Sequence, residues 1–242
     1  MPTVSAYKRP ASLEEALVEL EDNPSVLVGG GTKLHATTGE EPVVVVDLQA
    51  AGLAGVWPHG GDSVVLGATT TLDDLASSPE LPEVVRQAAR REQPSSLRTL
   101  STLGGCVASA DFESELLATL LVYRATVSLV ARYGTSETAL ADLLTRPSRL
   151  AGRIITAVEI ETSGRAAVKR VARTPADRAI VAAVARRDPQ GTLLVAFSGV
   201  ARVPVLVDDP ETLEPPGDFR GSSEYRKAMA EVLGTRAREA LR

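Results

Sequence analysis

Two glycine-rich segments hold the residues best suited to chemistry in this 242-residue chain. The first, Leu27–Leu34 (LVGGGTKL), follows an apolar run that reads as a strand. A strand running into consecutive glycines offers successive main-chain N–H groups, a nest for pyrophosphate oxygens that needs no cationic side chain. The G-x-G-x-x-G spacing is missing and no Gly-Lys-Ser/Thr follows, so neither a Rossmann fingerprint nor a P-loop is present. Taken alone, such a segment is more often a plain tight turn. The second segment, Leu97–Leu121, sets Thr102, Gly104, Gly105 and Ser109 ahead of an apolar helix. Its glycines admit a bulky ligand close to the backbone, its hydroxyls can hydrogen-bond, and Glu115 could accept from a ribose diol. The bland alternative is a loop leading into a capped helix. As a pair, the turns suggest one extended ligand held from two sides by converging main-chain amides.

The elements that would position these turns follow from capping and periodicity. Ser12 with Glu15 forms a capping box ahead of Leu13, Ala16, Leu17 and Leu20, and Asn23-Pro24 ends that helix. Ser25–Val28 and the β-branched run Val43–Asp47 read as buried strands, giving a small βαββ unit that ends near Val56. Next come a strand at Ser63–Gly67, a short helix capped by Thr71 and Asp74, and an amphipathic helix at Leu81–Arg91. The second glycine turn leads to a helix at Ser114–Tyr123, a strand at Ala125–Ala131, a helical turn at Ala139–Leu144 and a strand at Arg153–Glu161. Beyond Gly164, strands are expected at Ala166–Ala172 and Leu193–Val200, while Ala179–Arg186 suits helix or strand. The final helix, Ser222–Leu241, places Tyr225, Met229, Val232, Leu233 and Ala240 on one apolar stripe. The class is α+β in three lobes, at 1–56, 57–163 and 164–242.

Composition narrows the function. Hydrophobic content of 44% and charged content of 24% suit a soluble globular protein. The net charge of −5 is spread along the chain, unlike the clustered basic footprint of a nucleic-acid binder. The longest apolar runs, near Val43–Val46 and Ala179–Ala185, fall far short of a membrane span, and no signal peptide is read at the start. The one cysteine, Cys106, excludes an internal disulfide and an all-cysteine iron–sulfur cluster within this chain. His35 and His59 lack companions at metal spacing, so no metal site is expected. A cytoplasmic location is expected.

Taken in order with their flanks, the turns resemble the FAD-binding (medium) subunit of the molybdenum hydroxylases, the xanthine dehydrogenase and carbon monoxide dehydrogenase family. The family's Ala-Gly-Gly-Thr-Asp-Leu-like loop is matched by Gly29–Leu34, and its Thr-Ile-Gly-Gly-Asn-Ile segment lies within the stretch matched by Arg98–Glu115. Further likeness falls at Tyr7–Pro10, at Leu66–Ala68 with Thr70 and Thr71, at Lys169 with Asp177, and at Asp218–Arg226. The resemblance implies a two-lobed FAD-binding domain of the molybdopterin-dehydrogenase (PCMH-like) type, followed by a small α+β lobe. It implies FAD between the first two lobes, with Val28, Gly29, Gly30, Gly31, Thr32, Lys33 and Leu34 around the pyrophosphate. Thr102, Gly104, Gly105 and Ser109 would touch the cofactor from the other side, Glu115 would reach its ribitol or ribose, and Lys169 would lie near the isoalloxazine. Implied partners are iron–sulfur and molybdopterin subunits, with electrons passing to NAD or another acceptor.

The chain departs from the family pattern at several points. Thr99 and Cys106 replace asparagines, Phe112 a proline, Glu115 an aspartate, and Lys33 an acid. A cation at position 33 could pair with a phosphate. Cys106 reads as a buried, inert core residue more readily than as a reactive thiol. His35 suits an exposed loop better than a ligand contact, and Phe112 suits a plug between lobes slightly better than a stacking surface. The connections at Leu34–Pro42, Leu143–Arg153 and Val203–Asp218 look abbreviated. These changes leave open an alternative, a stand-alone relative with weakened FAD binding and a different small-molecule role.

Overall fold

The computed structural model describes residues 4–22, 25–33 and 42–242. Leu34, His35 and Asn23-Pro24, singled out from the sequence, lie outside the described residues. The first unit comprises β1 (Val4–Lys8), α1 (Leu13–Asp22), β2 (Ser25–Val28) and β3 (Val43–Asp47). Its strands form a three-stranded parallel sheet in the order β1-β3-β2. Ser12 Oγ accepts the Glu15 amide at 3.2 Å, while the Glu15 carboxylate accepts the Ala11 amide at 2.8 Å. This reciprocal pairing satisfies amides that the first turn of α1 leaves without helical partners. Leu13, Leu17 and Leu20 then pack on Val44 and Val46 of the central strand. Because the sheet is parallel, β2 must leave its end by a loop, and that loop is the first glycine turn.

The second unit is built from β4 (Val56–Pro58), β5 (Ser63–Gly67), α2 (Leu72–Ser77), α3 (Glu83–Glu92), α4 (Ser95–Arg98), α5 (Leu103–Ser109), α6 (Glu115–Val122), β6 (Thr126–Ala131), β7 (Gly134–Ala139), α7 (Leu140–Thr145) and β8 (Ile154–Glu161). Its antiparallel sheet runs β4-β5-β8-β6-β7. Every residue of α6 is buried, which its apolar sequence requires. Four elements of this unit escape the sequence reading: the short β4 and α4; β7, a polar edge strand with no apolar alternation; and α5, which begins inside the second glycine turn.

The third unit carries β9 (Arg165–Val171), β10 (Val181–Arg187), β11 (Leu193–Ser198), β12 (Val205–Leu206) and α8 (Ser223–Glu239). Its antiparallel sheet has the order β12-β11-β10-β9. One face packs on α8, while Val184 and Ala196 join the core of the second unit. Burial on both faces explains why the Ala179–Arg186 segment, ambiguous in sequence, becomes a strand without alternation.

The apolar stripe expected on the last helix is corrected. The face of α8 turned inward carries Arg226, Ala230, Leu233, Gly234 and Ala237, whereas Tyr225 and Val232 are exposed. Arg226 is fully buried because its guanidinium finds Glu113 at 2.7 Å, Asp218 at 2.8 Å and the Ile180 carbonyl at 2.6 Å. A charged residue so completely paired can occupy a core position that periodicity alone reserves for apolar side chains. Among the described residues, no helix is long and apolar enough to cross a membrane, and no group of histidine, cysteine and acidic residues could hold a metal ion.

Candidate functional site

The two glycine turns meet. A Cβ at Gly29 would strike the Thr102 side chain, and one at Gly30 would strike the Leu100 carbonyl. Glycine is therefore what lets the loop after β2 lie against the segment before α5. Gly31 adopts φ 70°, the left-handed conformation that turns the chain toward Thr32 and Lys33. Hydrogen bonds join the two sides: Ser101 Oγ donates to Thr32 Oγ1 at 3.0 Å, and Lys33 Nζ donates to Ser109 Oγ at 3.1 Å.

Between them lies a cleft of about 810 Å³. That falls within the range of roughly 300–1,000 Å³ found for small-molecule and cofactor sites. Val28, Gly29, Gly30, Gly31, Thr32 and Lys33 line one wall; Thr102, Gly105, Cys106 and Ser109 line the other. Gln93, Ser101, Asp111 and Arg202, which the sequence did not assign to the ligand, also line it, as does Phe112. Asp111 falls at a variable place in the family pattern, and Arg202 reaches the cleft from the third unit, so no local signal marks either one.

Three expected residues stand elsewhere. Gly104 is not in the lining; a Cβ there would meet the Ala68 carbonyl at 3.0 Å, so its role is the packing of α5 on β5's end. Glu115 is buried at the start of α6, 3.0 Å from Arg91 and 2.9 Å from Arg170. An acid on a wholly buried helix needs such compensation, and here two arginines supply it. Lys169 is on β9, adjacent to Arg170. Because side chains alternate along a strand, the face that Arg170 turns toward Glu115 is not the one that Lys169 occupies.

The expectation that both turns donate amides is also corrected. The Leu103 and Gly104 amides donate to the carbonyls of Thr70 (3.0 Å) and Ala68 (2.7 Å). Those of Gly105 and Cys106 are taken by Thr102, through its side chain at 3.2 Å and its carbonyl at 3.0 Å. The helix cap and the Thr71–Thr102 bridge thus occupy the amides of the second turn. What that wall offers a ligand is hydroxyls and a close backbone.

The charges of the site are arranged around Asp111. Its carboxylate lies 3.1 Å from Lys33 Nζ and 3.0 Å from Arg178. Desolvation pushes its pKa up, but the charge and hydrogen bond of Arg178, aided by Lys33, outweigh this and hold it at about 2. Behind the wall, Glu92 is buried, accepts Ser114 Oγ at 2.9 Å and lies 3.6 Å from Arg178. Burial pushes its carboxyl pKa up. Burial, reinforced by the charge of Glu92, likewise pushes the Cys106 thiol up, so this sulfur is a packing group. Phe112 sits between units: the Arg226 guanidinium lies 5.2 Å from its ring centroid, and its carbonyl accepts the Gly199 amide at 2.6 Å.

This donor set fits a dinucleotide. The cleft presents glycine backbone, four hydroxyls, the Gln93 amide, one lysine and one arginine, and its carboxylate, Asp111, is already paired. A family model described as "FAD binding domain in molybdopterin dehydrogenase" matches residues 3–162. The chain belongs to this family. Its cofactor is FAD, and it is an oxidoreductase component. The uncharacterized protein YgfM of Escherichia coli K12 is 31% identical over 253 residues, covering 95% of this chain and 93% of the relative. The carbon monoxide dehydrogenase medium chain of Afipia carboxidovorans is 27% identical over 275 residues, covering 96% and 95%. That alignment is longer than this 242-residue chain, so the medium chain carries segments without a counterpart here. Carbon monoxide dehydrogenase from Hydrogenophaga pseudoflava superimposes with a TM-score of 0.87 at 21% identity, covering 100% of this chain and 98% of that one, which shows the PCMH-like fold.

Proposed function

We propose that this chain is the FAD-binding electron-transfer subunit of a molybdenum-hydroxylase-type oxidoreductase, built in lobes at 1–56, 57–163 and 164–242. It receives electrons from an iron–sulfur partner in a complex with a molybdopterin subunit and delivers them to NAD or another acceptor, in the cytoplasm. Likeness to a medium chain along nearly the full length of both proteins supports the partners. The observation that carries the reading is the meeting of the two glycine turns across one cleft.

In this reading the Val28–Lys33 wall, continuing to Leu34, binds the pyrophosphate through backbone amides. Thr32, Ser101, Thr102 and Ser109 orient the nucleotide through their hydroxyls, and Gly105 lets it approach the backbone. When bound, FAD supplies the exchange between two-electron and one-electron chemistry. The protein's own task is to hold, orient and shield, so no side chain is required as a general acid or base. Arg202 takes the place expected of Lys169 as the cation that the third unit brings to the cleft.

The test is direct. Purified chain is expected to show flavin absorbance near one FAD per polypeptide, or to take up added FAD to that ratio. Co-expression with iron–sulfur and molybdopterin subunits is expected to yield a complex whose flavin is reduced by substrate. A colourless chain that refuses FAD would end this reading.

A further inference from the structure

Lys33 and Asp111 come from opposite walls, and their ion pair spans the cleft between them. We propose that this pair is a latch that sets how fast the flavin nucleotide enters and leaves, a role that rests on FAD occupying this cleft. The geometry separates a fixed post from a movable arm. Asp111 is anchored: Arg178 holds its Oδ2 at 3.0 Å, and its Oδ1 accepts the Glu113 amide at 3.1 Å. Lys33 is a long, flexible side chain at the end of the glycine turn, and its Nζ reaches both Asp111 Oδ2 and Ser109 Oγ at 3.1 Å. Its side chain keeps 32% exposure and that of Asp111 23%, so water and salt can reach the contact.

The charges bearing on the pair are Arg178 and, behind it, Glu92, and both sit on the post side. Arg178 holds Asp111 ionised and in place whichever way Lys33 points. A nucleotide lying between the walls is therefore closed in by this bridge, and entry or exit requires the Nζ–Oδ2 contact to open. Lys33 stands where the resemblance places an acid, and Asp111 where the pattern is variable. The departure at Lys33 thus pairs with an acid that the pattern does not require.

Stopped-flow exchange of FAD on the full chain tests the latch. Lys33→Met keeps the aliphatic stem and removes the charge. Both FAD association and FAD release are expected to accelerate about tenfold, the worth of one charge-assisted hydrogen bond, with the dissociation constant nearly unchanged. Asp111→Asn is expected to accelerate both rates in the same direction. Raised salt is expected to quicken release from the wild type and to leave Lys33→Met unaffected, because screening acts on the contact already removed. The opposite result for Asp111→Asn, tighter FAD and slower release, would overturn the latch: Lys33 would then be a phosphate counter-ion set free by the loss of Asp111. Rates indifferent to both substitutions in a chain that binds FAD would overturn the latch alone. A wild-type chain that takes up no FAD would remove the latch together with the functional reading.

Discussion

At Gly29 and Gly30 the missing side chains make room for another unit of the protein, the Leu100–Thr102 segment. At Gly104 the missing side chain makes room for Ala68, a neighbour within the same unit. The two turns read alike, as adjacent glycines near a threonine, yet one joins units and the other packs a helix. Their amides differ in the same way. Those of the second turn are taken by a β-bridge and a helix cap, while the first turn faces the cleft. A glycine pair thus permits a close approach without saying what approaches.

The largest expected effect breaks the joint between units. Gly30→Ala puts a methyl into the Leu100 carbonyl, a backbone atom that cannot swing aside. Overpacking of this kind costs about 1–3 kcal/mol, so FAD should bind up to about a hundredfold more weakly by fluorescence titration. Unchanged affinity would show that the turns need not touch for binding.

Acid probes the same joint by charge. The Asp111 pKa in the folded protein is about 2, below its ordinary value of 3.8. Its contribution, about 2 kcal/mol, is full above the ordinary carboxylate range and is lost as pH falls through the folded value. Urea unfolding from pH 5 down to pH 2 should show this loss in the wild type, and Asp111→Asn should flatten that part of the profile.

Gly104→Ala sharpens the contrast, because the new methyl would meet both the Cβ and the carbonyl of Ala68 at 3.0 Å. A shift of a few tenths of an ångström should lower stability by about 1 kcal/mol in urea titrations. FAD affinity should change less than in Gly30→Ala; the reverse order would dissolve the distinction. The smallest effect is expected from Thr102→Val, which keeps the side chain's shape and removes the oxygen that caps α5 at the Gly105 amide. Loss of an N-cap costs roughly 1 kcal/mol or less, read as a small fall in thermal midpoint.

Local signals were legible wherever a residue acts on its own neighbours. Ser12 with Glu15 and Thr71 with Asp74 form the caps expected of them, and the four valines from Val43 make the buried central strand. Legibility failed where a distant partner changes a residue's worth. Glu115 looked like a free acceptor near a glycine turn, and Arg91 and Arg170 had already claimed it. The helical period put Tyr225 on the apolar stripe of the last helix, and it is the neighbouring Arg226 that is buried. Lys169 was expected at the ligand, and Arg202 is the third unit's cation at the cleft.

The sequence by itself determined the caps and the glycine turns, because capping and backbone freedom depend on residues a few positions apart, and its resemblance to a known family carried the family and the FAD-binding class of fold. Which turn has its amides already engaged, which acids are already neutralised, and that Lys33 meets Asp111 across the cleft were decided only by the tertiary structure. Charges and hydrogen-bond donors separated by 78 residues acquire or lose their availability when folding brings their partners within about three ångströms, and no local pattern records that pairing.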